Sequence, residues 1–282
     1  MLIFDRQEAL IEHLKHISNS KTTIGFVPTM GALHSGHLSL IENSLKENSI
    51  TIVSIFVNPT QFNNPEDLEK YPKNLKSDIE KLKSVSGTVL VFAPNVDDIY
   101  EGTTVSNHFN FDGLENQMEG KFRPGHFDGV GTIVKRLFEI VKPTNAYFGE
   151  KDFQQLQIIK KLVEKENLPI NIVSCPIFRE KNGLAMSSRN ERLSPNERKS
   201  AAIIYKTVLE VKSKFNSESV TEIKKWVDTV FENQNNFKLD YFEIADEATL
   251  LPCEEKTDTK KYRAFIAVYV NNIRLIDTIS LN

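Results

Sequence analysis

The sequence predicts an α/β fold: a doubly wound parallel sheet followed by a smaller C-terminal α+β domain. Three observations carry this. Apolar, β-branched runs alternate with amphipathic helical patterns through the first two-thirds of the chain. One of those runs, Ile50-Thr51-Ile52-Val53-Ser54-Ile55-Phe56-Val57, is nearly continuous, as a strand buried on both faces requires. Near residue 185 the texture changes to well-capped helices and then long strands. Alternating β and α units imply parallel strands joined by right-handed crossovers, with ligands bound beyond the carboxyl ends of the strands.

An amphipathic first helix carries His13 and His16, and the strand Thr23 to Val27 follows. The next helix has Leu38, Ile41 and Leu45 on one face and leads to the strand at 50–57. Leu75, Ile79 and Leu82 fall in helical register before the strand Thr88 to Phe92. Pro94 to Gly129 reads as a long irregular segment, and Asn64 to Pro72 as a polar loop or flap. A helix bearing Val134, Leu137, Phe138 and Val141 comes next. Short strands at Ala146 to Phe148 and Ile170 to Val173 bracket the helix Gln154 to Glu166. Ser194-Pro195-Asn196-Glu197 supplies an N-cap, an N1 proline and an N3 glutamate, and Ser219 with Glu222 repeats the capping box. Strands are expected at Leu239 to Ala245, Tyr262 to Val270 and Ile273 to Ser280, the last two joined by a turn at Asn271-Asn272. The expected division is 1–184 for the sheet domain and 185–282 for the smaller one.

The bulk numbers exclude several classes. The 282 residues are 40% hydrophobic and 26% charged, with a formal net charge of -3. That balance gives no electrostatic reason to expect nucleic acid or an anionic membrane as partner. The two cysteines, Cys175 and Cys253, lie far apart, which argues against a disulfide framework and fits a reducing cytoplasm. The apolar N-terminal run is too short for a signal sequence, and no run approaches the ~20 residues of a membrane span.

The chemistry concentrates in four places. Pro28-Thr29-Met30-Gly31-Ala32-Leu33-His34-Ser35-Gly36-His37 joins the first central strand to its helix. It gathers two imidazoles, a glycine and a helix N-terminus, a combination suited to phosphate. A metal pair is the alternative for two histidines so spaced, though neither cysteine is near and no third ligand is evident. Asn58-Pro59-Thr60-Gln61 ends the second strand with amides that both donate and accept, fit for a hydroxyl-bearing ligand or simply for a polar turn. Gly149-Glu150-Lys151-Asp152 follows another strand; its lysine can neutralise phosphate, while its acids equally suit a helix start. Met186-Ser187-Ser188-Arg189 offers two hydroxyls and a guanidinium, either a phosphate clamp or a serine-rich linker.

As an ordered set, with Arg123-Pro124-Gly125-His126-Phe127-Asp128-Gly129-Val130 between them, these motifs make the chain resemble the pantothenate synthetase (pantoate–β-alanine ligase) family over essentially its whole length. The resemblance implies a Rossmann-like domain of the nucleotidylyltransferase superfamily, a C-terminal lid domain and a cytoplasmic homodimer. It also implies Mg-ATP as cosubstrate and the last step of pantothenate synthesis. ATP is then expected along Met30, Gly31, Ala32, Leu33, His34, Ser35, Gly36 and His37. Gly149, Glu150, Lys151 and Asp152 would hold ribose and phosphate, and Met186, Ser187, Ser188 and Arg189 would close over the triphosphate. The backbone at Phe178 would meet the adenine, although the family often has a small aliphatic residue there. Gln61 and Gln155 would bind pantoate, with β-alanine later near Gln61, and Asp78 would contact Mg2+. His37, His34, Lys151 and Arg189 would be catalytic through alignment and charge stabilisation, with no side-chain nucleophile. Arg123 and His126 belong to a matching motif without an assigned role. Two rivals use the same motifs: a tRNA-synthetase-like adenylate-forming enzyme, disfavoured by the acidic balance and the length, and a non-catalytic adenine-nucleotide sensor, disfavoured by intact His37, Lys151 and Arg189.

Overall fold

The computed structural model describes residues Met1–Asn282, which form two compact units. The first comprises Met1–Glu115, Gly120–Gly149 and Gln155–Cys175; the second comprises Asn116–Glu119, Glu150–Gln154 and Pro176–Asn282.

The first unit is built on six parallel strands: β1 (Leu2–Phe4), β2 (Ile24–Thr29), β3 (Ile50–Ile55), β4 (Leu90–Phe92), β5 (Asn145–Gly149) and β6 (Asn171–Cys175). Their order is β1-β4-β3-β2-β5-β6. The chain therefore winds outward from β2 in both directions, and the switch point lies at the carboxyl ends of β2 and β5. In register, Phe26, Ile52, Leu90 and Ala146 share one face of the sheet, and Val27, Val53, Val91 and Tyr147 share the other. All eight are buried. Helices Ser35–Glu47 and Leu75–Val85 cover the valine face through Leu40, Ile41, Ile79 and Leu82. Helix His126–Val141 covers the phenylalanine face, with Phe138 set edge-on to Phe26 at 6.2 Å. Burial on both faces is why the strands read as continuous apolar runs rather than alternating ones.

The second unit holds three antiparallel strands, β7 (Phe237–Asp246), β8 (Tyr262–Val270) and β9 (Ile273–Ser280), under helices Ala202–Lys214 and Val220–Glu232. Both expected capping boxes are present, Ser194 with Glu197 and Ser219 with Glu222. Val270 pairs with Ile273 across the expected two-residue turn, where Asn271 takes φ 50°.

The segment Pro94 to Gly129 is not irregular throughout. It contains helices Val96–Tyr100 and Met118–Phe122 and the first turn of His126–Val141. The polar stretch after Asn64 likewise holds the helix Pro65–Glu69, and Tyr71 beyond it is buried. Strand β1 has no counterpart in the sequence pattern. It is three residues long and takes its form from pairing with β4.

Candidate active site

β2 ends at Thr29, and the chain turns through Gly31 (φ 79°) and Ala32 (φ 49°) into the helix Ser35–Glu47. Two consecutive left-handed residues turn successive N–H groups to one side, a concavity that suits an anion. Here the anion is internal. The Asp78 carboxylate, 1% exposed, accepts from Ala32 N–H at 3.0 Å and Leu33 N–H at 2.7 Å. One turn further along the same helix, Lys81 donates to the Leu33 carbonyl at 2.6 Å. The loop is thus held by both its donors and its acceptor.

The two histidines then form a reciprocal helix cap. His34 is the N-cap, and its Nδ1 accepts from Gly36 N–H at 3.1 Å. His37, at N3, accepts the His34 N–H on its own Nδ1 at 3.4 Å. The rings stack with centroids 4.0 Å apart. A neutral imidazole that accepts at Nδ1 carries its proton on Nε2. Both rings are therefore Nε2–H donors at the positive end of a thirteen-residue helix.

β3 leads to the 3-10 turn Pro59–Gln61, which closes a buried amide network. Asn58, 1% exposed, donates to Gln61 Oε1 and to the Gly129 carbonyl, each at 3.1 Å. Its Oδ1 accepts from Tyr100 at 2.5 Å and Thr60 at 3.2 Å. Burial raises the Tyr100 phenol above its ordinary value, which keeps it a donor. With Oε1 occupied, Gln61 directs Nε2 to the Met30 sulfur at 3.1 Å. Thioether sulfur is a weak acceptor, so this N–H is poised for a better one. Gln155 is half-buried near the start of the helix Phe153–Lys165.

Within the second unit, Lys151 lies in the 3-10 turn Glu150–Asp152, its ammonium 3.3 Å from Asp152. Glu150 faces the buried Arg263 at 3.4 Å. The segment from Phe178 to Arg189 is a tight excursion. The Phe178 carbonyl accepts from Met186 N–H at 2.9 Å, and Gly183 turns the chain at φ 93°. Arg179 anchors it with two bonds to Asp277, at 2.6 and 2.9 Å. Ser187 Oγ accepts the Arg189 N–H at 3.2 Å and opens the 3-10 turn Ser188–Arg192, while Ser188 is buried. Ser187 thus shapes the loop that carries Arg189.

A sequence profile described as Pantoate-beta-alanine ligase matches residues 2–280. The chain belongs to the pantoate–β-alanine ligase family. The pantothenate synthetase of Flavobacterium psychrophilum is 63% identical over 281 residues, covering 100% of both chains. A solved pantothenate synthetase from Thermus thermophilus superposes with a TM-score of 0.90 at 37% identity, covering 100% of this chain and 99% of that one. A pantoate-β-alanine ligase from Francisella tularensis, solved with "Beta-gamma ATP" and β-alanine, gives 0.82 at 37% identity, covering 100% and 98%.

For a pantoate–β-alanine ligase the placement of Asp78 has a consequence. Both of its oxygens serve the loop, and no group of three or more His, Cys, Asp or Glu side chains is arranged to hold a metal. Asp78 thus has a role in this loop that needs no metal. Magnesium keeps most of its waters and binds readily through substrate phosphates. Two supports of the candidate site carry little sequence signal. Lys81 has no motif of its own. Tyr100 sits in the segment read as irregular, although Asn95 ahead of acidic Asp97 and Asp98 is a helix-start signal, and Asn95 Oδ1 does accept from Asp98 N–H at 2.8 Å. No helix is long and apolar enough to cross a membrane.

Proposed function

We propose that this ligase condenses (R)-pantoate with β-alanine at the expense of ATP through a pantoyl adenylate, releasing diphosphate and then AMP. The observation that carries the reading is the His34–His37 cap, two Nε2–H donors at a helix N-terminus directly after β2. A carboxylate resists attack by an amine because its leaving group is poor. In the first half-reaction the pantoate carboxylate oxygen attacks the α-phosphorus and the bond to diphosphate breaks. In the second, the β-alanine ammonium loses a proton to solvent, its nitrogen attacks the acyl carbon, the bond to AMP breaks, and the second nitrogen proton leaves to solvent as the amide forms. ATP lies along Met30 to His37. Since the N–H groups of Ala32 and Leu33 serve Asp78, the imidazole donors and the helix N-terminus meet the growing phosphate charge. Lys151 and Arg189 add positive charge, Gly149 to Asp152 and Met186 to Ser188 hold ribose and phosphates, and the Phe178 backbone meets the adenine.

Gln61 and Gln155 hold pantoate, the Gln61 amide exchanging its sulfur acceptor for a substrate oxygen, and β-alanine later enters beside Gln61. Magnesium enters as part of the ATP substrate. Residues 1–184 form the catalytic domain that binds ATP and pantoate, and 185–282, which supply Arg189, act as a lid that excludes water from the adenylate. A homodimer in the cytoplasm completes the reading, supported by family membership; light scattering at micromolar protein that returned only about the 32.2 kDa of one chain would overturn the dimer. The test of the chemistry is isotope exchange. Labelled diphosphate should enter ATP in the presence of pantoate and magnesium without β-alanine. Exchange that required β-alanine absolutely would refute the two-step scheme.

A further inference from the structure

The motif Arg123-Pro124-Gly125-His126 converges on one atom of the first unit, the Gln61 carbonyl oxygen. His126 Nδ1 lies 2.8 Å from it and an Arg123 terminal nitrogen lies 3.3 Å from it. The second Arg123 terminal nitrogen lies 3.2 Å from His126 Nε2. A guanidinium can only donate, so Nε2 must accept and the imidazole proton must sit on Nδ1. That proton is then donated to Gln61. The tautomer follows from the contact with Arg123.

The enclosure is close. His126 is 6% exposed and opens the helix His126–Val141 behind Gly125, which takes φ 78°. Three residues on, Gly129 packs against the turn so tightly that a β-carbon would stand 2.4 Å from the Thr60 carbonyl oxygen and 2.8 Å from Gln61 Cα. The Asn58 side-chain amide donates both to the Gly129 carbonyl and to Gln61 Oε1. The Gln61 main chain is thus fixed by Arg123 and His126, and its side chain by Asn58.

We infer that Arg123 and His126 are positioning residues for pantoate recognition, acting through the Gln61 carbonyl and not by touching substrate. The inference rests on Gln61 binding pantoate, as proposed above. Without the His126 donor the carbonyl keeps only the longer Arg123 contact, and the amide is held less closely in the place where it meets pantoate. ATP contacts near His34 and His37 do not depend on this carbonyl.

The experiment is steady-state kinetics on the full-length enzyme. His126→Ala should raise KM for pantoate about tenfold, the loss expected for one well-made hydrogen bond, with KM for ATP changed less than about twofold. Asparagine can place an N–H where Nδ1 was, whereas glutamine reaches toward Nε2. His126→Asn should therefore recover most of the pantoate affinity and His126→Gln should not, a contrast that stands even if the alanine variant folds poorly. Gln61→Ala with His126→Ala should be no worse than Gln61→Ala alone. Additive effects, equal behaviour of the asparagine and glutamine variants, or a KM for ATP that moves with that for pantoate would overturn the inference. Should Gln61→Ala itself leave the KM for pantoate unchanged, the reading of Gln61 fails and the positioning role with it.

Discussion

Asp78 separates two accounts of one carboxylate, a metal contact or an internal brace, and Asp78→Asn decides between them. The carboxylate is buried and accepts two backbone N–H bonds from a loop whose Gly31 and Ala32 sit at positive φ. Asparagine keeps one acceptor and turns an NH2 group toward the other N–H. A hydrogen bond to a charged group contributes about 1.5–3 kcal/mol, and an orphaned buried donor costs about 1–3 kcal/mol. One lost bond and one donor facing a donor should together cost roughly 2–4 kcal/mol. At about 2–4 °C per kcal/mol for a large domain, the melting temperature without ligand should fall on the order of 5–15 °C. ATP affinity should fall too, because the loop leads directly into the His34 cap. Differential scanning fluorimetry without nucleotide or magnesium is the assay. A variant that melts within about 2 °C of the parent, yet needs more magnesium for activity, would refute the brace and restore the metal contact.

Two further outcomes follow from the same geometry. His37→Ala should slow adenylate formation in single turnover by about two to three orders of magnitude, the range for losing one preorganised donor, while ATP affinity falls less because the charge grows in the transition state. His16→Ala, on an exposed face of the first helix, should match the parent, and equal rates for the two variants would remove His37 from the chemistry. Asp128, 3.1 Å from the exposed His108 ring, raises that imidazole above its ordinary value near 6.5 by its hydrogen bond and its charge. A raised folded value means that the pair stabilises the protein below the unfolded value and that the contribution is lost as pH rises through the folded one. An NMR titration should place His108 above 6.5 and return it there in Asp128→Asn; a midpoint at or below 6.5 in the parent would contradict the pairing.

The sheet was legible because its signal is local and dense. β3 and its neighbours are buried on both faces, so strand after strand had to be apolar throughout, and helices had to separate them. The elements that sequence pattern does not reveal share the opposite property. β1 is defined by pairing with residues about ninety positions away, and its Leu2 and Ile3 remain 49% exposed, so nothing local marks it. The short helices after Asn64 and Asn95 escape notice although they carry the same asparagine or serine cap, followed by acids or proline, that identifies the helix after Ser194. Too few apolar positions fall within five residues to display a helical period. The site divides the same way. Motif residues were legible by type, whereas Lys81, Tyr100 and the brace formed by Asp78 depend on which side chain meets which backbone or side-chain atom across 40 or more positions.

The spacing of the histidine motif has a cause in helix geometry. N-cap and N3 are three residues apart, the same interval that sets serine against glutamate at Ser194–Glu197 and Ser219–Glu222 in this chain. Serine and glutamate satisfy the helix and leave no ring donor behind. Histidine at both positions satisfies the helix with Nδ1 and keeps Nε2–H as a donor. The cap therefore fixes the tautomer, and the tautomer is the one that can donate to a phosphate oxygen. A proton on either Nδ1 would remove a cap acceptor and set a charged ring against its neighbour 4.0 Å away. On the proposed reading the pair acts as neutral donors whose direction the backbone sets, at the positive end of the helix. If ATP binds as proposed, helix start and phosphate site are one structure, and a capping interval is also a chemical motif.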